Sequence, residues 1–232
     1  MTFIVAEIGI NWDGNLELAR EMIEKSKKCG CDAVKFQAFT EDTVKDHPEK
    51  DRLMKSSISE ENIEKINSFA KDANIEWFCT PMYSEAVSLI DPFVKRFKIR
   101  YGDGKILLKD QSSSLIDNIL ETGKEIIISS QLSPKNSKIY KNSKINWLYV
   151  VPKYPCNFED IDFSDLRDFD GYSNHCPDIL APIVSVILGA KIVEVHVTSD
   201  KNKNFIDNPV SFDFEELSYL VKQIRNCEKI KK

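Results

Sequence analysis

The chain has 232 residues, with 32 Lys and Arg against 37 Asp and Glu, a formal net charge of −5, and 42% hydrophobic residues. That composition excludes disordered and collagen-like chains, and its dispersed basic residues argue against a nucleic-acid groove, which needs clustered Lys and Arg to displace counterions. No run approaches the roughly 18 to 20 apolar residues of a bilayer span, and MTFIVAEIGINWDG has no basic segment ahead of its short apolar stretch, so a cytoplasmic protein without membrane association is expected.

The first β-branched run covers residues 3–10. Residues 16–29 follow with Leu18, Met22 and Ile23 at helical spacing, and a second run lies at 33–39. Residues 59–73 open with S-E-E-N, close to a capping signature, continue through Ile63, Ile66 and Phe69, and lead into a third run at 75–80. Runs at 97–101, 125–130, 146–151, 171–175 and 191–198 bring the number to eight, with further helices expected at 84–90, 112–122, 179–188 and 214–227. Strands apolar on both faces that alternate with amphipathic helices build a parallel sheet covered by helices. The reading is therefore α/β, one closed (β/α)8 TIM barrel making a single domain over residues 1–232, with an open doubly wound sheet as runner-up.

Against a dinucleotide fold, the first strand and turn give G-I-N-W-D-G without G-x-G-x-x-G, and no Walker lysine motif occurs. Residues 131–144, QLSPKNSKIYKNSK, carry no apolar helical stripe, so the helix after strand 5 is expected to be reduced or missing. Six cysteines include a C-x-C pair, Cys29 and Cys31, while Cys79, Cys156, Cys176 and Cys227 stand alone. Buried free thiols are expected rather than disulfides or a zinc site.

In a barrel of this kind the C-terminal strand ends face a common pocket. Polar residues interrupt the apolar runs there: Glu7 and Asn11, Lys35 and Gln37, Cys79-Thr80-Pro81, Lys98, Ser129-Ser130, and Ser173 to His175. A carboxylate, two lysines and an amide in one cavity make a poor core and a good site for an anionic ligand, because burying unpaired charge is expensive. For Lys35 alone, a structural ion pair with Glu7 explains the residue equally well. The serines either donate to an anion or cap the next helix. Of the three histidines, His47 lies in a charged loop, whereas His175 and His196 close or nearly close the seventh and eighth strands. With Glu194 two residues before His196 on the same strand face, they could hold a divalent metal with open positions, form an acid and base pair, or be hydrogen-bonded strand-end histidines.

The opening IVAEIGINWDGNLELAREMIEKSKKCGCDAVKFQ, CTP at Cys79, FKI at Phe97, GYSNH at Gly171 and GAKIVEVHVT at Gly189 resemble, in order and over nearly the whole chain, the barrel domain of the sialic acid (N-acetylneuraminate) synthase family. The resemblance implies a transferase that condenses phosphoenolpyruvate with an N-acetylated, N-acetylmannosamine-like amino sugar to give a nonulosonic acid and phosphate. It implies a phosphoenolpyruvate pocket of Lys35, Thr80, Lys98, Ser129, Ser173 and His175, sugar contacts from Gln37, Tyr154 and Asp207, and metal ligands His175 and His196. Glu7 matches the acidic residue that assists proton transfer or water activation, and Glu7, Lys35 and Glu194 are taken as the catalytic set. Manganese is the implied metal, with magnesium or cobalt as substitutes.

Several positions depart from the family pattern. Trp12-Asp13-Gly14 stands for His-Asn-Gly, Tyr101 for a serine, Ser129-Ser130-Gln131-Leu132 for S-T-G-M, Pro152 for a polar residue near phosphoenolpyruvate, and Asn174 for the aspartate of GYSDH. They predict altered acceptor specificity, with a non-catalytic or partner-dependent sugar- or phosphate-binding barrel as the alternative. Family members carry a C-terminal antifreeze-like domain that reaches across a dimer. Its absence from this sequence removes a main reason to dimerise, yet a homodimer through exposed barrel helices is still expected, together with a separate antifreeze-like partner protein.

Overall fold

The computed structural model describes residues 1–230. Eight parallel strands, β1 (Phe3–Gly9), β2 (Ala33–Ala38), β3 (Glu76–Pro81), β4 (Arg96–Ile99), β5 (Glu125–Ser130), β6 (Ile145–Val150), β7 (Gly171–Asn174) and β8 (Ile192–His196), pair in chain order into a closed barrel. The ladder from Phe3↔Ile192 to Glu7↔His196 joins the first strand to the last and rules out the open sheet. Helices α1 (Leu16–Cys29), α2 (Glu41–Val44), α3 (Lys50–Lys55), α4 (Ile63–Asp72), α5 (Ser84–Ile90), α6 (Tyr101–Gly104), α7 (Ser114–Glu121), α8 (Leu180–Ile187) and α9 (Phe214–Ile230) supply the outer layer. No helix among the described residues is long and apolar enough to cross a membrane.

Helix α1 shows how the sequence writes this layer. Asn15 caps it by accepting from the Glu17 and Leu18 amides, Ala19, Met22 and Ile23 are buried, and Gly30, at φ 92°, ends it in the left-handed conformation that a side chain disfavours. The opposite face carries the exposed Arg20–Glu24 pair. S-E-E-N does not open α4 directly. Asn62 instead accepts from the Ser59 amide and donates to the Ser57 carbonyl, making a turn before the helix starts at Ile63.

Between β5 and β6 there is no helix, as the polar composition of that segment predicts, and the following crossover lacks one too. Residues 151–170 contain only the 3-10 turns Phe158–Asp160 and Leu166–Asp168. Pro152 and Pro155 together with repeated Asp residues break helical continuity there. All six cysteines are free thiols. Cys31, Cys79, Cys156 and Cys176 are buried, but Cys29 and Cys227, each in the last turn of its helix, are only partly so.

Candidate active site

Strand register assembles the polar residues at one end of the barrel. Glu7 is level with Lys35 on β2 and with His196 on β8, Gln37 with Thr80, and Ser173 with Glu194. These groups open into a cavity of about 360 Å³ lined by Glu7, Lys35, Gln37, Thr80, Lys98, Ser129, Tyr154, Ser173, His175, Glu194, His196 and Asp207. All twelve residues assigned above to the catalytic, phosphoenolpyruvate, sugar and metal sets thus border the same space, whereas Asn11, Cys79, Ser130 and Asn174 do not line it.

The floor is a network of buried ions. Lys98 Nζ donates to both Glu194 oxygens, at 2.7 and 2.9 Å, and Lys35 Nζ lies 3.1 Å from Glu7 Oε2 and 3.5 Å from Glu194 Oε1. Ser173 Oγ donates to Glu194 at 2.9 Å, and Lys35 donates to Thr80 at 3.2 Å. Burial alone would raise the Glu194 pKa, but the two lysines overcome it and hold the carboxylate ionised. Burial likewise works against a charged Lys35, and Glu194 with Glu7 reverses the effect. Lys98 has one close carboxylate, and burial, reinforced by Lys35, brings it down to about 8. Burial also pushes Glu7 above the ordinary carboxyl range in spite of Lys35, while Gln37 donates to its Oε1 at 2.7 Å. Lys35 is therefore ion-paired with Glu7 and still borders the cavity, so its structural and its binding readings coexist.

Glu194 is committed to the lysines and not to the histidines. Among the described residues no three His, Cys, Asp or Glu side chains are grouped to hold a metal. The available donor set is two imidazoles, with ring centroids 5.5 Å apart. His175 Nδ1 is 2.7 Å from the Val151 carbonyl, which can only accept, so the proton sits on Nδ1 and Nε2 keeps its lone pair. Burial, then the neighbouring His196, lowers the His175 pKa to about 3 and keeps the ring neutral. His196 Nδ1 lies 3.2 Å from Asp207 Oδ2, near enough for charge attraction though not aligned as a hydrogen bond. Burial opposes a charged His196, and Asp207 outweighs it. His175 thus has its Nδ1 tied to a backbone oxygen, as second-shell partners of metal-binding histidines are, while His196 Nδ1 only faces the Asp207 carboxylate, and neither Nε2 has a hydrogen bond among the described residues. The donor chemistry fits a divalent cation with remaining positions open to water or substrate.

The loops that carry Tyr154 and Asp207 are fixed from below. The Tyr154 ring lies 3.9 Å from that of His175, centroid to centroid. Asn11 donates to the Val197 carbonyl and the Ser211 hydroxyl and accepts from the Asp207 amide, so it positions Asp207 and does not itself reach the cavity. Asn174 both donates to and accepts from the Cys176 backbone and braces the turn after His175. At Gly9, with φ 53°, a Cβ would sit 3.1 Å from Glu7 Oε1 and 3.4 Å from Asp207 and Gln37, so a side chain there would be strained in its backbone and would press on site residues. Tyr101 and Pro152, noted as departures, line the cavity, as do Met82, Arg100 and Gly102, which the sequence reading passed over.

The model of the NeuB family matches residues 22–232. An uncharacterized protein of Methanocaldococcus jannaschii is 34% identical, over 99% of this chain and 72% of that one. The N,N'-diacetyllegionaminic acid synthase of Legionella pneumophila is 30% identical over 98% of this chain and 72% of its own. Among solved structures, an N-acetylneuraminic acid (sialic acid) synthetase from Leptospira borgpetersenii, in complex with citrate, superposes with a TM-score of 0.86 at 26% identity, covering 99% of this chain and 85% of that one.

Proposed function

Because the chain belongs to the NeuB family, we propose that it joins phosphoenolpyruvate to the open-chain aldehyde of an N-acetylated amino sugar, N-acetylmannosamine or a close analogue, giving a nonulosonic acid and inorganic phosphate. The observation that carries this reading is the buried Glu7–Lys35–Glu194–Lys98 network lying beside two imidazoles with free Nε2 atoms in one cavity.

In this reading Lys35 and Lys98 receive the carboxylate and phosphate charge, and Glu194 keeps both lysines oriented and close. A divalent ion, manganese or in its place magnesium or cobalt, held by His175 and His196, would supply Lewis acidity toward the sugar aldehyde. C3 of phosphoenolpyruvate attacks that carbonyl carbon, a carbon–carbon bond forms, and the aldehyde oxygen takes up a proton. Glu7, whose carboxyl is inclined by burial to hold a proton, is placed to exchange one with the reacting groups or with the water that adds at C2. The C2–O bond to phosphate then breaks, and the electron pair leaves with the phosphate oxygen. Gln37, Tyr154 and Asp207 meet the sugar.

The test is a phosphate-release assay with phosphoenolpyruvate and manganese against N-acetylmannosamine, its 6-phosphate and bacillosamine-derived sugars, with mass spectrometry of the product. Acceptor-dependent phosphate and a nonulosonic acid are expected. His196→Ala should reduce turnover by a factor on the order of 10³ or more, since it removes one of only two imidazole donors. Silence of the folded protein across the panel would overturn the reading in favour of a non-catalytic barrel.

A further inference from the structure

The cations at the pocket floor are already engaged. Lys98 is held by Glu194, and Lys35 lies between Glu7 and Glu194. Both lysines therefore already have carboxylate partners when a phosphoester arrives, which leaves room for a further cation to act on the phosphate. One more cation lines the cavity. Arg100 is the residue after β4, and because Ile99 pairs with Ile128, Arg100 and Ser129 follow at the same level on neighbouring strands. The Ser129 hydroxyl is buried, at 3% residue exposure, and has no hydrogen-bond partner among the described residues.

Arg100 has partners that an anion can displace. Its Nε donates to Asp103 at 2.7 Å, in an i,i+3 pair whose side chains are 43% and 25% exposed, and its Nη1 points at the Met82 thioether, a weak acceptor, at 3.1 Å. An exposed pair of that kind contributes little to stability, so a surface-stability role accounts poorly for a guanidinium turned toward the cavity. The guanidinium is a planar fork of donors suited to phosphate oxygens. Pro152, also in the lining, offers neither an amide N–H nor a polar side chain to share that task.

We propose that Arg100 anchors the phosphate group of phosphoenolpyruvate on the β4–β5 side of the pocket, beside the Ser129 hydroxyl that the family resemblance already assigns to that ligand. The assignment rests on the synthase reading above. It places the guanidinium against the charge that grows on the phosphate as the C2–O bond breaks.

The experiment is calorimetric titration of the wild type, Arg100→Ala and Arg100→Lys with phosphoenolpyruvate, inorganic phosphate and N-acetylmannosamine 6-phosphate, each variant checked by thermal unfolding. Arg100→Ala should weaken phosphoenolpyruvate and inorganic phosphate alike by roughly 10- to 100-fold, with Arg100→Lys recovering part of the loss. In turnover assays KM for phosphoenolpyruvate should rise while KM for the amino sugar holds, a split that a merely structural arginine would not produce. Unchanged affinity for both phosphate ligands in a folded Arg100→Ala overturns the proposal. So does weakening confined to the sugar phosphate, which would give Arg100 to the acceptor. If the wild type binds inorganic phosphate through Arg100 yet turns over no phosphoenolpyruvate with any amino sugar, the synthase reading falls and the phosphate anchor stands.

Discussion

Between β1 and β5 the strands are covered by α1, α4, α5 and α7, whereas between β5 and β7 the covering layer is made of turns, aromatic rings and a few side-chain ties. On the helical side an apolar stripe such as Leu115, Ile116 and Ile119 of α7 packs on the sheet, and the helix satisfies its own backbone. On the other side Tyr149, Phe163, Phe169 and Tyr172 form a cluster with ring centroids 5.0 to 6.1 Å apart. Backbone groups there depend on side chains: Asp170 accepts from the Trp147 amide, and the Tyr149 hydroxyl accepts from the Asp162 amide. Ser133 and Lys135 tie the β5–β6 segment to buried Asp168. The same strand geometry is thus supported by a self-contained layer on one flank and by an interdependent one on the other. The interdependent flank carries Tyr154, Ser173 and His175, so site geometry there rests on side-chain identity more directly than it does at Lys35 or Lys98.

The largest expected effect lies on the interdependent flank. A Cβ at Gly171, the first residue of β7, would fall 2.0 Å from the Ile192 carbonyl oxygen and 2.7 Å from its carbon. Those atoms belong to the neighbouring strand and cannot yield without opening the β7–β8 ladder. Gly171→Ala should therefore eliminate the cooperative thermal transition measured by circular dichroism. A variant with a near-normal transition would show that β7 tolerates displacement and that this flank is softer than its packing implies.

A smaller effect separates the two flanks by its spread. Phe163→Ala and Ile116→Ala should each destabilise the protein by about 3 kcal/mol, since each removes a large apolar side chain packed on the core. Hydrogen exchange distinguishes them. Loss of Phe163 should raise exchange throughout residues 151–170, because its contacts reach Tyr149 and Tyr172 together, while loss of Ile116 should leave the α7 amides protected by their own hydrogen bonds until global unfolding. Equal patterns in the two variants would remove the distinction between the flanks.

The distinction also sets how far the sequence could be read. Helices with a regular apolar stripe, such as the one through Met22 and Ile23, and strands of consecutive β-branched residues, such as Glu125–Ser130, announce themselves by period. The missing helix after β5 was legible in a segment with almost no apolar residues. The missing helix after β6 was not, because Ile161, Phe163, Leu166 and Phe169 supply ample apolar character whose partners are strand aromatics distant in sequence. In the site, Lys35, Lys98 and Glu194 stood out as charges inside apolar strands, which burial makes anomalous. That Glu194 pairs with Lys35 and Lys98 was invisible, since it depends on which strands face each other across the barrel. Arg100 and Met82 escaped notice because an arginine or methionine just beyond a strand end is unremarkable until the cavity shows where it points.

The smallest effects test whether the two layers differ in kind when the energies are matched. Asn15→Ala removes the acceptor for two amides in the first turn of α1, and Ser133→Ala removes one of the two ties onto Asp168. Each should cost about 1 kcal/mol, the usual worth of a cap or of a single hydrogen bond. The cap variant should fray only the start of α1 and leave ligand binding at the pocket unaltered, because the next turns keep their own hydrogen bonds. The Ser133 variant loosens the segment that leaves Ser129 and Ser130, and Ser130 Oγ donates to the Leu132 carbonyl within it. Inorganic phosphate affinity should consequently fall severalfold in Ser133→Ala and stay unchanged in Asn15→Ala. If both variants bind phosphate equally well at equal loss of stability, the side-chain ties are as local as a helix cap, and the irregular flank is a scaffold of another shape with no special hold on the site.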